Sequence, residues 1–252
     1  MNETILELRN VTYRRETITL LDDVSFSLTR GDNVTIFGPE GSGISSLFDI
    51  IIRGNAKFDG DVFYKGSSIK SLDYFGLMNH KREVGYLHGD YGLMSNLSVE
   101  QNISLPLDYH SAMSASEIKK HVDKIIYEVN LDHCKKLRPF DLTRSEILKT
   151  AFGRAIANDP DLLYIEHAFE DQCYLNIRSL IDVLTERSIR PDKSLIMITY
   201  YPQNFIDISD EFIMFFNGRI VFRGKKDDYM ASDNPYVVQY RTNSIEGPMV
   251  IL

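Results

Sequence analysis

Apolar and polar residues alternate in Ile5-Leu6-Glu7-Leu8 and in Val24-Ser25-Phe26-Ser27-Leu28. This two-residue period predicts half-buried antiparallel strands, joined through the polar segment Arg14 to Thr17. Gly31-Asp32-Asn33 turns the chain into an apolar strand, Val34 to Phe37. A helix is predicted from Ser45 to Arg53, ended by Gly54, the residue type found just past helix C-termini. Gly60 to Gly66 reads as a short returning strand, and Val84 to Leu87 as another that enters the turn-rich loop Gly89-Asp90-Tyr91-Gly92. From Ser98 the period becomes helical. Ser98 with Gln101 and Ser114 with Glu117 have capping-box spacing, and Ile118, Val122, Ile125, Ile126 and Val129 mark one apolar face. A third helix is predicted from about Ser145 to Ala157, before Asn158-Asp159-Pro160, so residues 95 to 160 form a helical block inserted between strands.

Leu162 to Ile165 and Leu195 to Ile198 are unbroken apolar runs separated by a helix from Leu175 to Arg187. Such runs are expected of parallel strands buried on both faces, and the strand, helix, strand rhythm is that of a doubly wound α/β sheet. Asn217-Gly218, between Phe212 to Phe216 and Arg219 to Phe222, predicts a hairpin. The polar, proline-bearing stretch from Ala231 to Leu252, with Tyr236, Val238 and Tyr240 as anchors, is expected to pack as an extension or tail.

Between the strand at Val34 and the helix after it lies Gly38-Pro39-Glu40-Gly41-Ser42-Gly43-Ile44-Ser45-Ser46. The pattern G-x-x-x-x-G-K-[ST] makes a phosphate-binding loop, because its glycines let backbone N–H groups curl around phosphate oxygens at a helix N-terminus. Gly38, Gly43 and Ser45 hold their places in that pattern, but Ile44 stands where the lysine belongs. An isoleucine offers neither a donor nor a charge to the β- and γ-phosphates.

A chain of 252 residues with 43% hydrophobic residues can bury a sizeable core, and it reads as a soluble globular protein. Its formal charge of −8 argues against nucleic acid and anionic lipid, since basic residues cluster only in pairs such as Lys119-Lys120 and Lys135-Lys136. Cys134 and Cys173 lie far apart without CxxC or Cys/His spacing, so free thiols are expected rather than a disulfide or zinc site. His80, His88, His110, His121, His133 and His167 show no paired metal spacing; all but His167 read as surface or hydrogen-bonded structure. No apolar run approaches the roughly 20 residues needed to span a bilayer. Met1-Asn2-Glu3 lacks a signal-peptide layout. Work at a membrane would then require another subunit.

The order of the pieces resembles the ATP-binding cassette of ABC transporters over nearly the whole chain. Leu8-Arg9-Asn10-Val11, Leu20 to Phe26, Leu97 to Ile103 and Ala155 to Pro160 carry the likeness. Phe169, Gln172, Asp233 to Tyr240 and Glu246-Gly247-Pro248 look like the ATPase subunit of Mla and Mce lipid transporters. The resemblance implies a P-loop NTPase, RecA-like core with an antiparallel β subdomain and an inserted helical subdomain at about 95–160. It implies a cassette over 1–230 and a C-terminal extension over 231–252, which could contact a dimer partner.

Each chemical position of that family pattern is substituted. The adenine-stacking aromatic is Arg15, with Tyr13 nearby, and a guanidinium can also stack on a base. The lysine is Ile44 in a loop that otherwise keeps Gly38, Gly41, Gly43, Ser45 and Ser46 as nucleotide-binding candidates. The coupling glutamine is Gly89. The signature reads Leu142-Thr143-Arg144-Ser145-Glu146, adding side chains and a negative charge where glycine amides approach the partner's γ-phosphate. The metal-binding aspartate and catalytic glutamate are Glu166 and His167, the following proline is Ala168, the D-loop aspartate is Cys173 and the switch histidine is Tyr200.

Glu166 and Ser45 could ligand Mg²⁺, and His167 could act as a base. Losing the lysine removes a charge pair worth on the order of 4 kcal/mol at an effective dielectric near 20, before desolvation. The resemblance therefore implies a pseudo-ATPase with no assured ATP or Mg²⁺. Its expected role is structural or regulatory, in a transporter of Mla/Mce lipid type. It would sit peripherally on the cytoplasmic side of the inner membrane with a transmembrane permease subunit and a second cassette, the same or different. The alternative is an ATP-binding subunit with weak or rearranged ATPase activity.

Overall fold

The computed structural model describes residues 3–54 and 56–250, so Met1-Asn2, Asn55 and the last two residues of the tail lie outside the described residues. Strand β1 (Thr4–Arg15) pairs antiparallel with β2 (Ile18–Thr29) and with β4 (Phe58–Tyr64), which pairs with the short β5 (Ser67–Ser68). The connection expected over Arg14 to Thr17 is tighter than that. Arg14 and Arg15 are in the strand, and only Glu16 and Thr17 turn the chain, with Glu16 at φ 55°.

The second sheet holds β3 (Asn33–Phe37), β6 (Val84–His88), β7 (Leu162–Glu166), β8 (Ser194–Thr199), β9 (Glu211–Phe216) and β10 (Arg219–Lys225). Its order is β10-β9-β3-β8-β7-β6, parallel except for the β9–β10 hairpin, which turns at Asn217-Gly218 as expected. Alternate residues of these strands enter different cores because a strand points successive side chains to opposite faces. Tyr164, Ile196 and Ile213 face the antiparallel sheet; Leu163, Ile165 and Met197 face the helices; Phe212 and Met214 face the C-terminal segment. The chain thus has the P-loop NTPase core, the antiparallel β unit and the inserted helices that its sequence implies.

The helix after the phosphate loop departs from its prediction. α1 (Ser46–Phe48) makes one α turn and then widens into π turns over Asp49–Arg53, ending at Gly54 with φ 65°. Three helices lie between β6 and β7: α3 (Val99–His110), α4 (Ala115–Glu128) and α5 (Arg144–Ile156). Each starts with a reciprocal capping box, at Ser98/Gln101, Ser114/Glu117 and Thr143/Glu146. Helix α2 (Tyr74–Glu83), capped by Asp73, has no clear apolar stripe and escapes periodicity reasoning. After β7 comes α6 (Tyr174–Ser188), and after β10 the short α7 (Lys226–Met230).

The tail is more ordered than its composition suggests. It contains α8 (Pro235–Thr242), whose start is capped by Asn234, and Val237 and Met249 pack with Phe37, Phe212 and Tyr229. Among the described residues no helix is long and apolar enough to cross a membrane.

Candidate functional site

β3, β8, β7 and β6 run parallel and in register, with Phe37 opposite Thr199, Ile198 opposite Glu166, and Glu166 opposite His88. The phosphate loop, Gly89, His167 and Tyr200 therefore leave neighbouring strand ends on one edge of the sheet, where open α/β sheets bind ligands. A cavity of about 240 Å³ opens there, lined by Arg15, Glu40 to Ser46, His167 and Tyr200. Neither Gly89 nor any residue of Leu142 to Glu146 lines it.

The loop keeps the left-handed glycine turns of the pattern, at Gly41 and Gly43. The Ser42 amide donates to the Pro39 carbonyl at 3.1 Å and the Ser46 amide to the Gly43 carbonyl at 2.9 Å. Gly43 needs its glycine: it has φ 93°, and a Cβ there would strike the Leu20 carbonyl. The charge is what the loop lacks. Ile44 is 3% exposed and belongs to the core with Leu47, Ile50 and Ile51. Arg15 is the one permanent cation on the cavity wall, and its guanidinium is engaged with Asp49 at 3.0 Å, while Asp49 also holds Arg53 at 3.0 Å. Glu40 adds a carboxylate to the same wall.

Glu166 ends β7 with 2% exposure, and its Oε2 has no hydrogen-bond partner. Burial raises its pKa above the usual carboxylate range, against the opposing pull of His88, the Ser45 hydroxyl and His167. Ser45 and Glu166 are thus brought together as hard oxygen donors of the kind Mg²⁺ takes. The site fits a phosphate in backbone shape and Mg²⁺ in donor type, but it offers no side-chain cation free to neutralise a triphosphate.

His167 follows with a left-handed backbone, φ 47°, its amide donating to the Ile198 carbonyl at 2.9 Å. Its ring stacks on Tyr200 with centroids 4.2 Å apart, and its Nδ1 meets Glu170 Oε1 at 3.1 Å. The same Glu170 oxygen accepts the Tyr200 amide at 3.1 Å. Burial pushes the Glu170 pKa up, but the hydrogen bonds from His167 and Tyr200 outweigh it and hold the carboxyl below its ordinary value. The ring is thus wedged between Tyr200 and the Glu170 carboxylate, with Nε2 buried and unpartnered. Sequence reasoning missed Glu170, although its i,i+3 spacing from His167 is the signal that finds it.

Gly89 has a structural reason beyond the loss of a glutamine. A Cβ at that position would lie 2.6 Å from the His167 carbonyl oxygen. The glycine and the left-handed His167 therefore form one backbone arrangement, and a glutamine could not enter it unless His167 moved.

The signature-like segment departs from its expectation. Glu146 is committed to its own chain: Oε2 accepts the Thr143 amide at 2.8 Å and Oε1 meets His133 Nε2 at 2.6 Å. Arg144 is an exposed surface arginine that pairs with the equally exposed Asp171 at 2.5 Å. Leu142 packs against the helical core and Ser145 approaches Thr143 Oγ1 at 3.4 Å. Cys173 is exposed before α6. His80 and His121 bond the Ile51 and Ala157 carbonyls, as structural histidines do.

A family model described as ABC transporter matches residues 21–169, more than half of the chain. The chain is similar to the intermembrane phospholipid transport system ATP-binding protein MlaF of Haemophilus influenzae, 22% identical over 99% of this chain and 94% of that protein. It superimposes on the ATP-binding cassette MJ0796, a dimer bound to ADP and Pi, with TM-score 0.79 and 23% identity over 88% of this chain and 98% of that one. It also superimposes on cbiO1 of Clostridium perfringens, part of the ABC transporter complex cbiONQ, with TM-score 0.80 and 20% identity over 96% and 97% of the two chains. At such identities these two likenesses show the fold alone. The family match spans the phosphate loop, the signature-like segment and the end of β7, and the chain belongs to the ABC transporter family as an ATP-binding cassette subunit.

Proposed function

We propose that this cassette is a pseudo-ATPase subunit, structural or regulatory, in a transporter of the Mla/Mce lipid type. The observation that carries the reading is the double loss at one cavity: Ile44 buried where the phosphate cation belongs, and His167 stacked against Tyr200 where the base belongs. Glu146 in its own cap and Arg144 paired with Asp171 support the same reading for the signature-like face. In a head-to-tail cassette dimer both sites would then be altered, since this chain supplies the phosphate loop to one and the signature to the other. The similarity to MlaF supports lipid as cargo.

The partners in this reading are a transmembrane permease subunit and a second cassette, identical or different, at the cytoplasmic side of the inner membrane. In this reading, contact with the membrane is made only through those partners, and the charge of −8 argues against nucleic acid. Residues 1–230 are the cassette, with the helical subdomain at about 95–160, and residues 231–252 are an extension able to contact the dimer partner. A groove of about 410 Å³ among Arg82, Tyr86, Leu105, Pro106 and Arg154, where β6 meets the inserted helices, supports docking of a permease helix on this face.

The purified transporter complex tests this through ATP turnover and equilibrium binding of ATP with and without Mg²⁺. The expected result is no hydrolysis attributable to this chain. Turnover that disappears in Glu166→Ala or His167→Ala would overturn it. One observation favours the second reading, weak or rearranged ATPase activity: the unpartnered Glu166 oxygen on a carboxyl that faces Ser45. That reading requires saturable Mg²⁺-dependent ATP binding, and no binding at millimolar ATP removes it.

A further inference from the structure

His133, Cys134 and Glu146 show no metal spacing in the sequence, yet the fold gathers them. One ligand atom from each lies within 4.8 Å of the other two, the one such group of three among the described residues. Two of the three are already fixed. Cys134 is 2% exposed in a single helical turn, Asp132–Cys134, whose ends are tied by Cys134 N to Leu131 O at 3.1 Å and Leu137 N to Cys134 O at 2.8 Å. The next links bind that turn to the start of α3, through Val99 N to Leu137 O at 2.9 Å and Glu100 N to Lys135 O at 3.1 Å. Glu146 has its Oε2 held by the Thr143 amide and hydroxyl, both at 2.8 Å, which leaves Oε1 facing His133. The third arm is adjustable, since the His133 side chain is 62% exposed.

From this geometry we infer a site for one thiophilic divalent cation of the zinc class, ligated by His133 Nε2, Cys134 Sγ and Glu146 Oε1 with solvent completing the shell. The donor set selects the metal. Imidazole and thiolate suit Zn²⁺ and its neighbours, whereas Mg²⁺ and Ca²⁺ require oxygen cages that one carboxylate oxygen does not supply. Zn–N and Zn–O bonds of about 2.0–2.2 Å place tetrahedral ligand atoms roughly 3.3 Å apart. The His133–Glu146 contact of 2.6 Å must therefore open by less than about 1 Å. A half-exposed imidazole does this by a small rotation that breaks its bond to Glu146; the Nε2 proton is released to solvent, leaving the neutral ring protonated at Nδ1, and the freed Nε2 lone pair binds the metal. The thiol proton leaves to solvent as the sulfur–metal bond forms. The bound ion would tie the turn after α4 to the first turn of α5, which carries Arg144 and Ser145 of the signature-like segment, independently of any nucleotide.

The test uses the full chain, stripped of metal, titrated with Zn²⁺ against a chromophoric chelator and separately with Co²⁺. One ion per chain is expected, with the near-ultraviolet thiolate-to-Co²⁺ band. Cys134→Ser and His133→Ala should each weaken binding by at least the roughly 10- to 100-fold that losing even an outer-shell partner costs. Cys173→Ser should leave it unchanged. His133→Ala alters an exposed side chain and keeps the test valid if Cys134→Ser fails to fold. Absence of one-to-one binding, a Co²⁺ spectrum without the thiolate band, or affinity unchanged in His133→Ala would each overturn the site and leave an ordinary ion pair beside a core thiol.

Discussion

Glu166 and Ile44 are both almost fully buried at the phosphate-loop edge of the sheet. Glu166 keeps a carboxyl at 2% exposure with one oxygen unpartnered, so its ionised form is the disfavoured one. A group whose folded pKa lies above its unfolded value contributes stability below the unfolded pKa and loses it as pH rises through the folded pKa. At neutral pH, Glu166→Gln should therefore stabilise the free chain by on the order of 1 kcal/mol, or about 2–4 °C in Tm for a chain of this size. The gain should shrink near pH 4, where the native carboxyl is itself protonated. Thermal unfolding at the two pH values checks both parts, and a loss of stability at pH 7 would show that the carboxylate has a cationic partner. Ile44 argues in the same direction: it is not an idle vacancy in the loop but part of the apolar floor shared with Leu47, Ile50 and Ile51.

Among the elements, α8 bears most directly on the cavity. The Tyr240 hydroxyl reaches both the Gly38 carbonyl at 3.2 Å and the Tyr200 carbonyl at 2.9 Å, joining the C-terminal helix to the phosphate loop and the end of β8. Its ring lies 5.3 Å from that of Phe37, so the helix is oriented by packing and the hydroxyl adds the registration. Tyr240→Phe keeps the ring and removes the bond, which should destabilise the chain by about 1 kcal/mol. Amide hydrogen exchange should rise at Gly38 to Ser46 more than in α4. Unchanged exchange in the loop would mean that α8 only covers the sheet and does not restrain the loop.

At the scale of the whole molecule, the half-buried Asp161 and the exposed Asp159 hold separate units together. Asp161 joins Lys65 of the β4–β5 turn at 2.6 Å, Arg30 after β2 at 3.4 Å and Lys193 before β8 at 3.4 Å. Asp159 gathers Arg187, Arg190 and Lys193 within 3.3 Å. Burial works against the charge on Asp159 and Asp161, but their lysine and arginine partners more than offset it, and both pKa values lie below normal, as does that of Glu170. A depressed carboxylate contributes stability above its unfolded pKa, near 4 for these types, and loses it as pH falls through the folded pKa. Urea unfolding should show a midpoint that is flat from pH 7 to 5 and drops steeply below about pH 4. A midpoint that rises on acidification would mean that the buried Glu166, with the opposite sign, dominates instead.

The sequence by itself determined what depends on neighbours along the chain. Strand periods, the capping boxes at Ser98/Gln101 and Ser114/Glu117, the Asn217-Gly218 hairpin and the glycine pattern of the phosphate loop each specify local backbone, and each appears where its residues place it. Reading went wrong where local signals are weak or are overridden by packing. Helix α2 lacks an apolar stripe, α8 begins in a polar proline-bearing tail, and the helix after Ser45 widens into π turns. Only the tertiary structure decided which distant groups meet. The parallel order of β3, β8, β7 and β6 sets Ile44, His167 and Tyr200 around one cavity and presses Gly89 against the His167 carbonyl, while the packing of the inserted helices directs Glu146 toward His133. Periodicity encodes the face of an element, whereas a charge pair or a ligand set depends on contact between elements remote in sequence, and that contact exists only once the sheet is assembled.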